Sequence, residues 1–526
     1  MSRKSQRSRC SSTRPQSILR PNGKIDQRVQ QAGPDRFGVV TVDCAKARSK
    51  WMLADFYANV LVPPTEVEHT RAGLDNMIQH VRQAVQEHRL RDVLVAIERT
   101  GNYHAPVQLA FRRASFETRV VHPFATKQFR QVDHPGVKTD DIDLAALHRA
   151  TVVGFALTEQ TLEPPYRQLQ LLVRHRRDLV NKRVALRCQI REHVHLNLPG
   201  FAGLFGRQGS LFSNGPLPMT VARNFASAAQ IAAAGAPGLT QLLQQHCIRF
   251  QRPTLLRILA WAQDADPPRE DALMRQRILA DLDDDFTGKT QQLTALERDI
   301  AGYLVQTPYV LLLVVPGINV VSAADLAGEM GPIEHYPNAN AITGRAGLFP
   351  GRYQSDQVDH ATPLIRRGNK RLRNALMQIG DNLITCNDHF RGLAELWRAR
   401  NVDPRLQRVR VVKQFSRLAY AMLAGRQVFP HRCCQAPDYL LEKLLQFELD
   451  HATPLDVMRN HLFDAADLVP KQRRAQEAAK LQEQSKRRQG PRASSGVKHI
   501  SEAILLVVAR LLSHQVQLDA EVQALD

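Results

Sequence analysis

The stretch Phe37-Gly-Val-Val-Thr-Val-Asp43 is an apolar run that ends on a carboxylate. Its length and its β-branched residues predict a buried strand. A second run of the same kind, Val93-Leu-Val-Ala-Ile-Glu98, also ends on an acid. A carboxylate that closes a buried strand lies at the opening beyond the carboxyl end of that strand. We therefore expect Asp43 and Glu98 to face the same edge of one sheet.

Strands and helices alternate on both sides of these two runs. The patterns predict a meander of three strands, followed by helix, strand, helix, strand and helix. The predicted bounds are 37–43, 51–57, 59–62, 67–87, 93–97, 102–114, 118–122 and 141–155. This order is typical of a ribonuclease-H-like sheet, so we predict an α/β domain over residues 36–157.

Two further acids begin the last of these helices, in Lys138-Thr-Asp-Asp-Ile-Asp143. Asp140 and Asp143 are three residues apart and share a helical face, whereas Asp141 is rotated away from it. Phosphodiester cleavage requires charge stabilisation on the attacking and the leaving oxygen, which two metal ions held by carboxylates can supply. The sequence therefore predicts a catalytic Mg²⁺ or Mn²⁺ site formed by Asp43, Glu98, Asp140 and Asp143.

The chain is strongly basic, with 71 Lys and Arg against 51 Asp and Glu in 526 residues, a formal net charge of +20. Neutralisation of phosphates is the usual reason for such a charge, so nucleic acid is the expected partner. A membrane surface is a weaker alternative, because no basic amphipathic helix stands out.

The cysteine pattern and the apolar runs fit a reducing cytosol, and we expect a cytoplasmic, nucleoid-associated protein. Seven scattered Cys form no CxxC pair, which argues against a disulfide framework and against a zinc ribbon. The apolar runs are far shorter than a membrane span, and the first residues lack an apolar signal core.

Three other regions flank or follow the α/β domain. Residues 1–35 are polar, basic and aperiodic, which predicts a disordered arm that either touches nucleic acid or is dispensable. Residues 158–306 carry leucines spaced by seven, as in Leu172, Leu179 and Leu186, and again from Leu279. This spacing predicts a helical coiled-coil linker, as an antiparallel hairpin or a dimerising coiled coil, with ordinary bundle packing as the alternative. Residues 433–526 predict a basic, helical tail.

Residues 307–432 predict a mainly α-helical unit that opens with Leu311-Leu-Leu-Val-Val-Pro-Gly-Ile-Asn319. A Pro-Gly turn between an apolar run and a helix is similar to the turn of helix-hairpin-helix modules, which hold a DNA backbone. We therefore take Gly317 as a candidate nucleic-acid contact, as we do Lys138 beside the acids.

The same unit contains a Gly/Pro-rich loop with a serine, Ser355, and then Ile365-Arg-Arg-Gly-Asn-Lys-Arg-Leu-Arg373. A loop serine is usually structural, and residue types alone leave that alternative open. Five cations beside it would suit a nucleophile that attacks phosphate, because they stabilise developing charge and position the backbone. The candidate nucleic-acid contacts here are Arg366, Arg367, Lys370, Arg371 and Arg373.

Taken together, the motifs resemble the DEDD-type insertion-sequence transposases, a bacterial family of RNA-guided ("bridge RNA") recombinases. The motifs that carry the resemblance are Thr41-Val-Asp43-Cys-Ala-Lys46, Ile97-Glu98-Arg-Thr-Gly-Asn-Tyr-His104, His122-Pro-Phe-Ala-Thr-Lys127, Lys138-Thr-Asp140-Asp-Ile-Asp143, Val315-Pro-Gly-Ile318, Ala346-Gly-Leu-Phe-Pro350, Gln354-Ser355 and Gly368-Asn-Lys-Arg-Leu-Arg373. The resemblance covers residues 36–160 and 307–400.

The resemblance implies a RuvC-like N-terminal domain, a coiled-coil linker and a C-terminal transposase domain with an essential serine. It implies that Ser355 is the nucleophile and that the four acids are the metal-binding DEDD set. It further implies a homo-oligomer, dimer or tetramer, that acts on donor and target DNA, with a structured noncoding RNA that pairs with both. A RuvC-like endonuclease that resolves junctions with water as nucleophile is the alternative function.

Overall fold

The structure is a computed structural model that describes residues 23–159, 162–205, 211–212, 215–267, 270–355, 358–365, 368–426, 431–435 and 438–451. The chain divides into two compact units, which meet in sequence at residues 161 and 162. Most of the predicted arm, residues 1–22, and most of the predicted tail, residues 452–526, lie outside the described residues.

The first unit is an α/β domain around a five-stranded sheet with the strand order β3-β2-β1-β4-β5. The strands are β1 (Phe37–Cys44), β2 (Arg48–Asp55), β3 (Val60–Glu68), β4 (Asp92–Glu98) and β5 (Glu117–Val121). β1 to β3 form an antiparallel meander, while β4 runs parallel to β1 and to β5. This confirms the α/β class and the order of strands predicted from the sequence.

Five helices cover the two faces of the sheet. They are α1 (Asp26–Ala32), α2 (Arg71–Glu87), α3 (His104–Arg113), α4 (Pro123–Asp133) and α5 (Asp140–Val153). Val40, Val42 and Ile97 pack with α2 and α3 on one face. Val39 and Leu94 pack with α1 and α5 on the other. Because both faces are buried, the central strands are almost continuously apolar.

Several predicted boundaries in this unit were wrong, among them the end of β3, which was predicted at 62 and lies at Glu68. The helix predicted to start at 67 begins at Arg71, because Val67 still pairs with Ser49 in the sheet and Thr70 caps the helix by accepting a hydrogen bond from Gly73 N. Part of the predicted disordered arm is helix α1. Its Arg28 forms ion pairs with Asp92 at 2.6 Å and Glu117 at 2.7 Å, which hold this helix on the domain.

The second unit is mostly helical. Its helices are α6 (Pro164–Asn197), α7 (Leu217–Asn224), α8 (Ala228–Gln245), α9 (Arg252–Asp264), α10 (Ala272–Leu304), α11 (Val320–Met330), α12 (Ala339–Arg345), α13 (Lys370–Cys386), α14 (Asp388–Ala399), α15 (Pro404–Gly425) and α16 (Asp438–His451). A two-stranded hairpin, β6 (Pro350–Ser355) and β7 (Val358–Leu364), precedes α13. None of the helices described in either unit is long and apolar enough to span a membrane.

The long helices α6 and α10 form an antiparallel pair within the chain. Arg176 near the start of α6 contacts Glu297 near the end of α10 at 2.6 Å, and Asn197 Nδ2 donates to Ala272 O at 3.0 Å at the opposite end. The leucines spaced by seven left an antiparallel hairpin and a dimerising coiled coil open, and the arrangement within the chain is the antiparallel hairpin. A coiled coil between two chains stays a prediction. The stretch between these two helices contains α7 to α9, which form a small lobe with its own apolar core.

The Pro-Gly turn connects two helical elements. The apolar run before it is a 3-10 helix, Pro308–Val314, and all seven of its side chains are buried. α11 follows, with a capping box between Asn319 and Ser322. These elements pack with α12 to α15 in one core, so the predicted mainly α-helical unit is confirmed in its secondary structure.

Candidate active site

Asp43 and Glu98 meet at the carboxyl edge of the sheet. Val42 of β1 is paired in parallel register with Ile97 of β4, so the residue after each one occupies the same level of the sheet. Glu98 is 8% exposed and Asp43 is partly buried. The two carboxylates are therefore neighbours in the partly desolvated position predicted for them.

The first turn of α5 brings Asp140 and Asp143 to the same edge. Thr139 caps this helix by accepting a hydrogen bond from Ile142 N at 3.3 Å, which fixes its start one residue before Asp140. Asp143 is 3% exposed, whereas Asp140 is exposed to solvent. All four predicted acids therefore lie on the three elements expected to carry them.

The acids influence each other electrostatically. Burial raises the pKa of Asp43 above its usual range, and the neighbouring charges of Asp143 and Asp140 raise it further. Burial and the charges of Asp43 and Asp143 raise the pKa of Glu98 to about 7, although Lys138 opposes the rise. Crowded like charges of this kind are typical of functional sites that bind a cation.

Cations are also present in the wall of the site. The Arg130 guanidinium of α4 forms an ion pair with the Asp143 carboxylate. Lys50 Nζ of β2 lies 2.6 Å from Asp141 Oδ1. Asp141, which the helical periodicity turns away from the other acids, is thus held by the neighbouring strand.

The residues fit a divalent metal ion in their chemistry, though not in their present side-chain positions. Carboxylate oxygens are the ligands that Mg²⁺ and Mn²⁺ prefer. Within the described ranges, however, no three His, Cys, Asp or Glu side chains are placed to bind one ion together. Arg130 contacts Oδ1 of Asp143, so a metal ion bound by the full acidic set would share this carboxylate with the guanidinium.

Ser355 occupies a different setting, in the second unit. It is the last residue of β6, is exposed, and pairs with Val358 of β7 across the turn of the hairpin. The two turn residues, 356 and 357, lie outside the described residues. The predicted nucleophile is thus presented on a short surface hairpin, and its role stays a prediction.

The basic stretch after the hairpin separates into two kinds of residue. Lys370 and Arg371 are exposed on the first turn of α13, as a nucleic-acid contact requires. Arg373 instead donates hydrogen bonds to the carbonyls of Ala346 at 2.8 Å and Ile365 at 2.5 Å. Its guanidinium maintains the loop structure, so we no longer expect it to bind nucleic acid. Arg366 and Arg367 lie outside the described residues.

Gly317 has a packing reason to be glycine. Its φ is +96°, and a Cβ at this position would lie 2.9 Å from the Asn382 carbonyl oxygen of α13. Lys443 of α16 donates to the carbonyls on both sides of the turn, those of Val315, at 3.0 Å, and Ile318. The turn is therefore held from two directions, and the predicted backbone contact with DNA is not needed to explain the glycine.

Three cations near the candidate sites were not predicted from the sequence: Arg130, Lys50 and Lys443. Arg130 was missed because α4 was not predicted as a helix, so nothing placed this residue beside the acids. A usable signal is the Pro at its first position, Pro123, after a residue whose side chain caps the helix, His122. Lys50 and Lys443 act through long-range contacts, for which the sequence gives no local signal.

Two transposase family models match the chain. Residues 40–199 match the DEDD transposase domain of the IS110 group, described as a transposase. Residues 309–395 match the transposase IS116/IS110/IS902 family. The first match covers all four acids, and the second covers the Pro-Gly turn, Ser355 and the start of α13.

Individual relatives are more distant. The transposase for insertion sequence element IS1328 from Yersinia enterocolitica is 27% identical over 103 residues, which are 19% of this chain and 31% of that protein. The chain therefore matches about a third of the length of this curated relative. RuvC from T. thermophilus, solved in complex with a Holliday junction substrate, is similar over 23% of this chain and 99% of that one, with 14% identity. The TM-score of 0.18 is too low to establish a shared fold. The two family models, matched in order along one chain, identify residues 40–199 and 309–395 as similar to the two domains of IS110-type DEDD transposases.

Proposed function

We propose that the protein is a DNA transposase that cuts and rejoins the strands of an insertion sequence through a serine nucleophile. The observation that carries the proposal is the pairing of Asp43 and Glu98 at the carboxyl ends of adjacent parallel strands, with both pKa values raised. A buried acidic pair of this kind has no evident structural purpose, since burial of like charges opposes folding. It is suited to hold a cation against a phosphodiester.

In this proposal the acidic residues form the metal site. Asp43 and Glu98 hold a divalent ion from the sheet edge, and Asp140 and Asp143 hold it from the start of α5. The bound ion supplies charge neutralisation at the phosphate and at the attacking and leaving oxygens. Lys138, whose charge already acts on Asp43 and Glu98, is placed to attract the DNA backbone.

Ser355 carries the covalent step. Its Oγ attacks the phosphorus, the Oγ–H proton passes to solvent, and the bond to a deoxyribose oxygen breaks as that oxygen takes up a proton. A deoxyribose hydroxyl of the second DNA then attacks the phosphoserine, forms the new strand junction and returns the proton to Ser355. Lys370 and Arg371, both exposed on the first turn of α13, position the backbone during both exchanges.

The proposed partners are donor and target DNA, a structured guide RNA and further copies of the chain in a dimer or tetramer. The net charge of +20 supports nucleic-acid partners in general. The guide RNA and the oligomer rest on the family resemblance. In such an assembly the serine of one subunit is completed by the acidic site of another.

Trapping a covalent protein–DNA adduct tests the nucleophile. We would incubate the full chain with Mg²⁺, guide RNA and a nicked DNA substrate, then measure DNA that stays attached to denatured protein. Wild type should yield the adduct, and Ser355→Ala should yield none while retaining salt-sensitive nucleic-acid binding. Wild-type recombination by Ser355→Ala would refute the serine assignment.

A second candidate is a RuvC-like endonuclease that resolves DNA junctions with water as the nucleophile. The observation that favours it is that all four acids lie in the first unit and form a complete set without Ser355. Here Ser355→Ala cleaves junctions at the wild-type rate, and no adduct forms with either protein. The adduct experiment therefore separates the two reactions directly.

A further inference from the structure

Arg130 places a buried cation inside the candidate metal site. Its guanidinium Nη1 contacts Asp143 Oδ1, and the side chains of Arg130 and Asp143 are 15% and 4% exposed. An ion pair this well shielded from solvent is stronger than a surface pair, and removal of either partner leaves an uncompensated charge.

Arg130 acts on more than one acid. Its charge also opposes the rise in the pKa of Glu98, which lies on β4. The guanidinium of α4 therefore contacts the acid of α5 and lies near enough to the sheet-edge acid to act on it through charge. A cation in this position partly neutralises the cluster, which a divalent ion would otherwise do alone.

We propose that Arg130 is the resident counter-ion of the acidic site, which a divalent metal ion must displace from Asp143 in order to bind. The proposal rests on the proposed function, because it presumes that the acids are metal ligands. Arg130 thereby sets the metal affinity of the site without being a ligand.

The electrostatics give the direction of the effect. A guanidinium within contact distance of Asp143 repels a divalent ion bound to the same carboxylate, and it also competes for the oxygen lone pairs. The arrangement of the described acids agrees with this, since no three of them are placed for one ion while Arg130 holds Asp143. Loss of the arginine charge should therefore tighten metal binding.

The test is a titration of the full chain with Mn²⁺ in the absence of DNA and RNA, followed by the electron paramagnetic resonance signal of free Mn²⁺. Arg130→Gln should bind Mn²⁺ roughly tenfold more tightly than wild type. Arg130→Lys, which keeps the positive charge, should stay close to wild type. Unchanged or weaker binding by Arg130→Gln would overturn the proposal and indicate that the arginine orients Asp143 for the metal.

Arg149→Gln is a matched control. Arg149 of α5 forms an ion pair with Asp133 of α4, so it connects the same two helices at a solvent-exposed position. This variant should leave Mn²⁺ affinity unchanged. If both glutamine variants tighten binding equally, the effect comes from loosening of the two helices and the proposal fails.

The experiment also distinguishes this inference from the proposed function. The Asp43→Asn variant, with Arg130 unchanged, should bind Mn²⁺ at least tenfold more weakly than wild type if the acids hold the metal. Should wild type and Asp43→Asn bind Mn²⁺ alike, the metal site itself is wrong. Should Asp43→Asn weaken binding while Arg130→Gln has no effect, only the role of Arg130 is wrong.

Discussion

The acidic edge of the first unit and the serine hairpin of the second are built in opposite ways. Asp43, Glu98 and Asp143 are anchored on central strands and on a capped helix, and most of their surface is buried. Ser355 stands exposed on a two-stranded hairpin. Burial of the charged acids destabilises the folded state. The exposed serine hydroxyl has little effect on stability. Substitutions should therefore separate activity from stability differently in the two regions.

The largest expected effect is on recombination itself. Asp43→Asn and Ser355→Ala should each lower the rate by about a thousandfold or more, because either change removes a group that acts only in the reaction. Recombined product, quantified with saturating Mg²⁺ and guide RNA, is the measurement. A residual rate within tenfold of wild type for either variant would remove that residue from the proposed site.

A mixture of these two inactive variants tests whether one site takes its serine and its acids from different subunits. In a mixed oligomer, the intact serine of the Asp43→Asn subunit can meet the intact acids of the Ser355→Ala subunit. We expect recovery of at least a tenth of wild-type recombination from the mixture. Recovery no greater than that of each variant alone would place both groups of one site in the same subunit.

Two cations that follow the hairpin, Arg373 and Lys370, should differ in their effects on stability and on DNA binding. Arg373→Ala should destabilise the second unit by about 2 kcal/mol, since it removes a donor from the part-buried carbonyls of Ala346 and Ile365. Lys370→Ala, in the same helical turn, should change the free energy of unfolding by less than about 0.5 kcal/mol and weaken DNA binding instead. Denaturant unfolding and salt-dependent DNA binding measure the two effects. Equal losses of stability in the two variants would contradict a structural role for Arg373 and a DNA-binding role for Lys370.

The partly buried cation Lys443 of the second unit should make stability depend on pH. Burial lowers its pKa from 10.5 to about 8, so between these values the unfolded chain binds more protons than the folded chain. Stability therefore rises as the pH increases across this window, by about 2 kcal/mol after allowance for partial exposure. Lys443→Met should flatten this part of the curve, measured by denaturant unfolding between pH 7.5 and 10.5. An unchanged slope would show that the ammonium is well solvated.

The smallest expected effect concerns the stability of the acidic edge. The pKa of Glu98 is raised to about 7, so the folded state binds more protons than the unfolded state from about pH 4.5 to 7, and stability falls as the pH rises. In metal-free buffer at pH 8, Glu98→Gln should therefore stabilise the first unit by about 1 kcal/mol. Ser355→Ala should leave stability unchanged, and a comparable gain in that variant would contradict the contrast between the regions.

The sequence predicted the features that depend on local patterns. The positions of Asp43 and Glu98 followed from apolar runs that end on carboxylates, and those of Asp140 and Asp143 followed from the start of a helical pattern. The structure agrees with these positions and with the succession of strands along the chain. Helix α4 and its Arg130 were not predicted, because no helix was recognised between the fifth strand and the last helix of the domain. The structural use of Arg373 was not predicted either. Its sequence neighbours are cationic, and only the folded loop reveals the carbonyls that it contacts.

The antiparallel pair α6 and α10 has a consequence for distances in the second unit. α6 has 34 residues, so at 1.5 Å per residue it is about 50 Å long. The apolar core at one end of the pair includes Leu179 and Leu293, whereas the core of the α7–α9 lobe begins at Ile190 and Leu279. The helical segments between these cores form a spacer. Residues removed in equal number from both helices within this spacer would bring the lobe closer by about 1.5 Å each, so the position of the lobe can be changed separately from the chemistry.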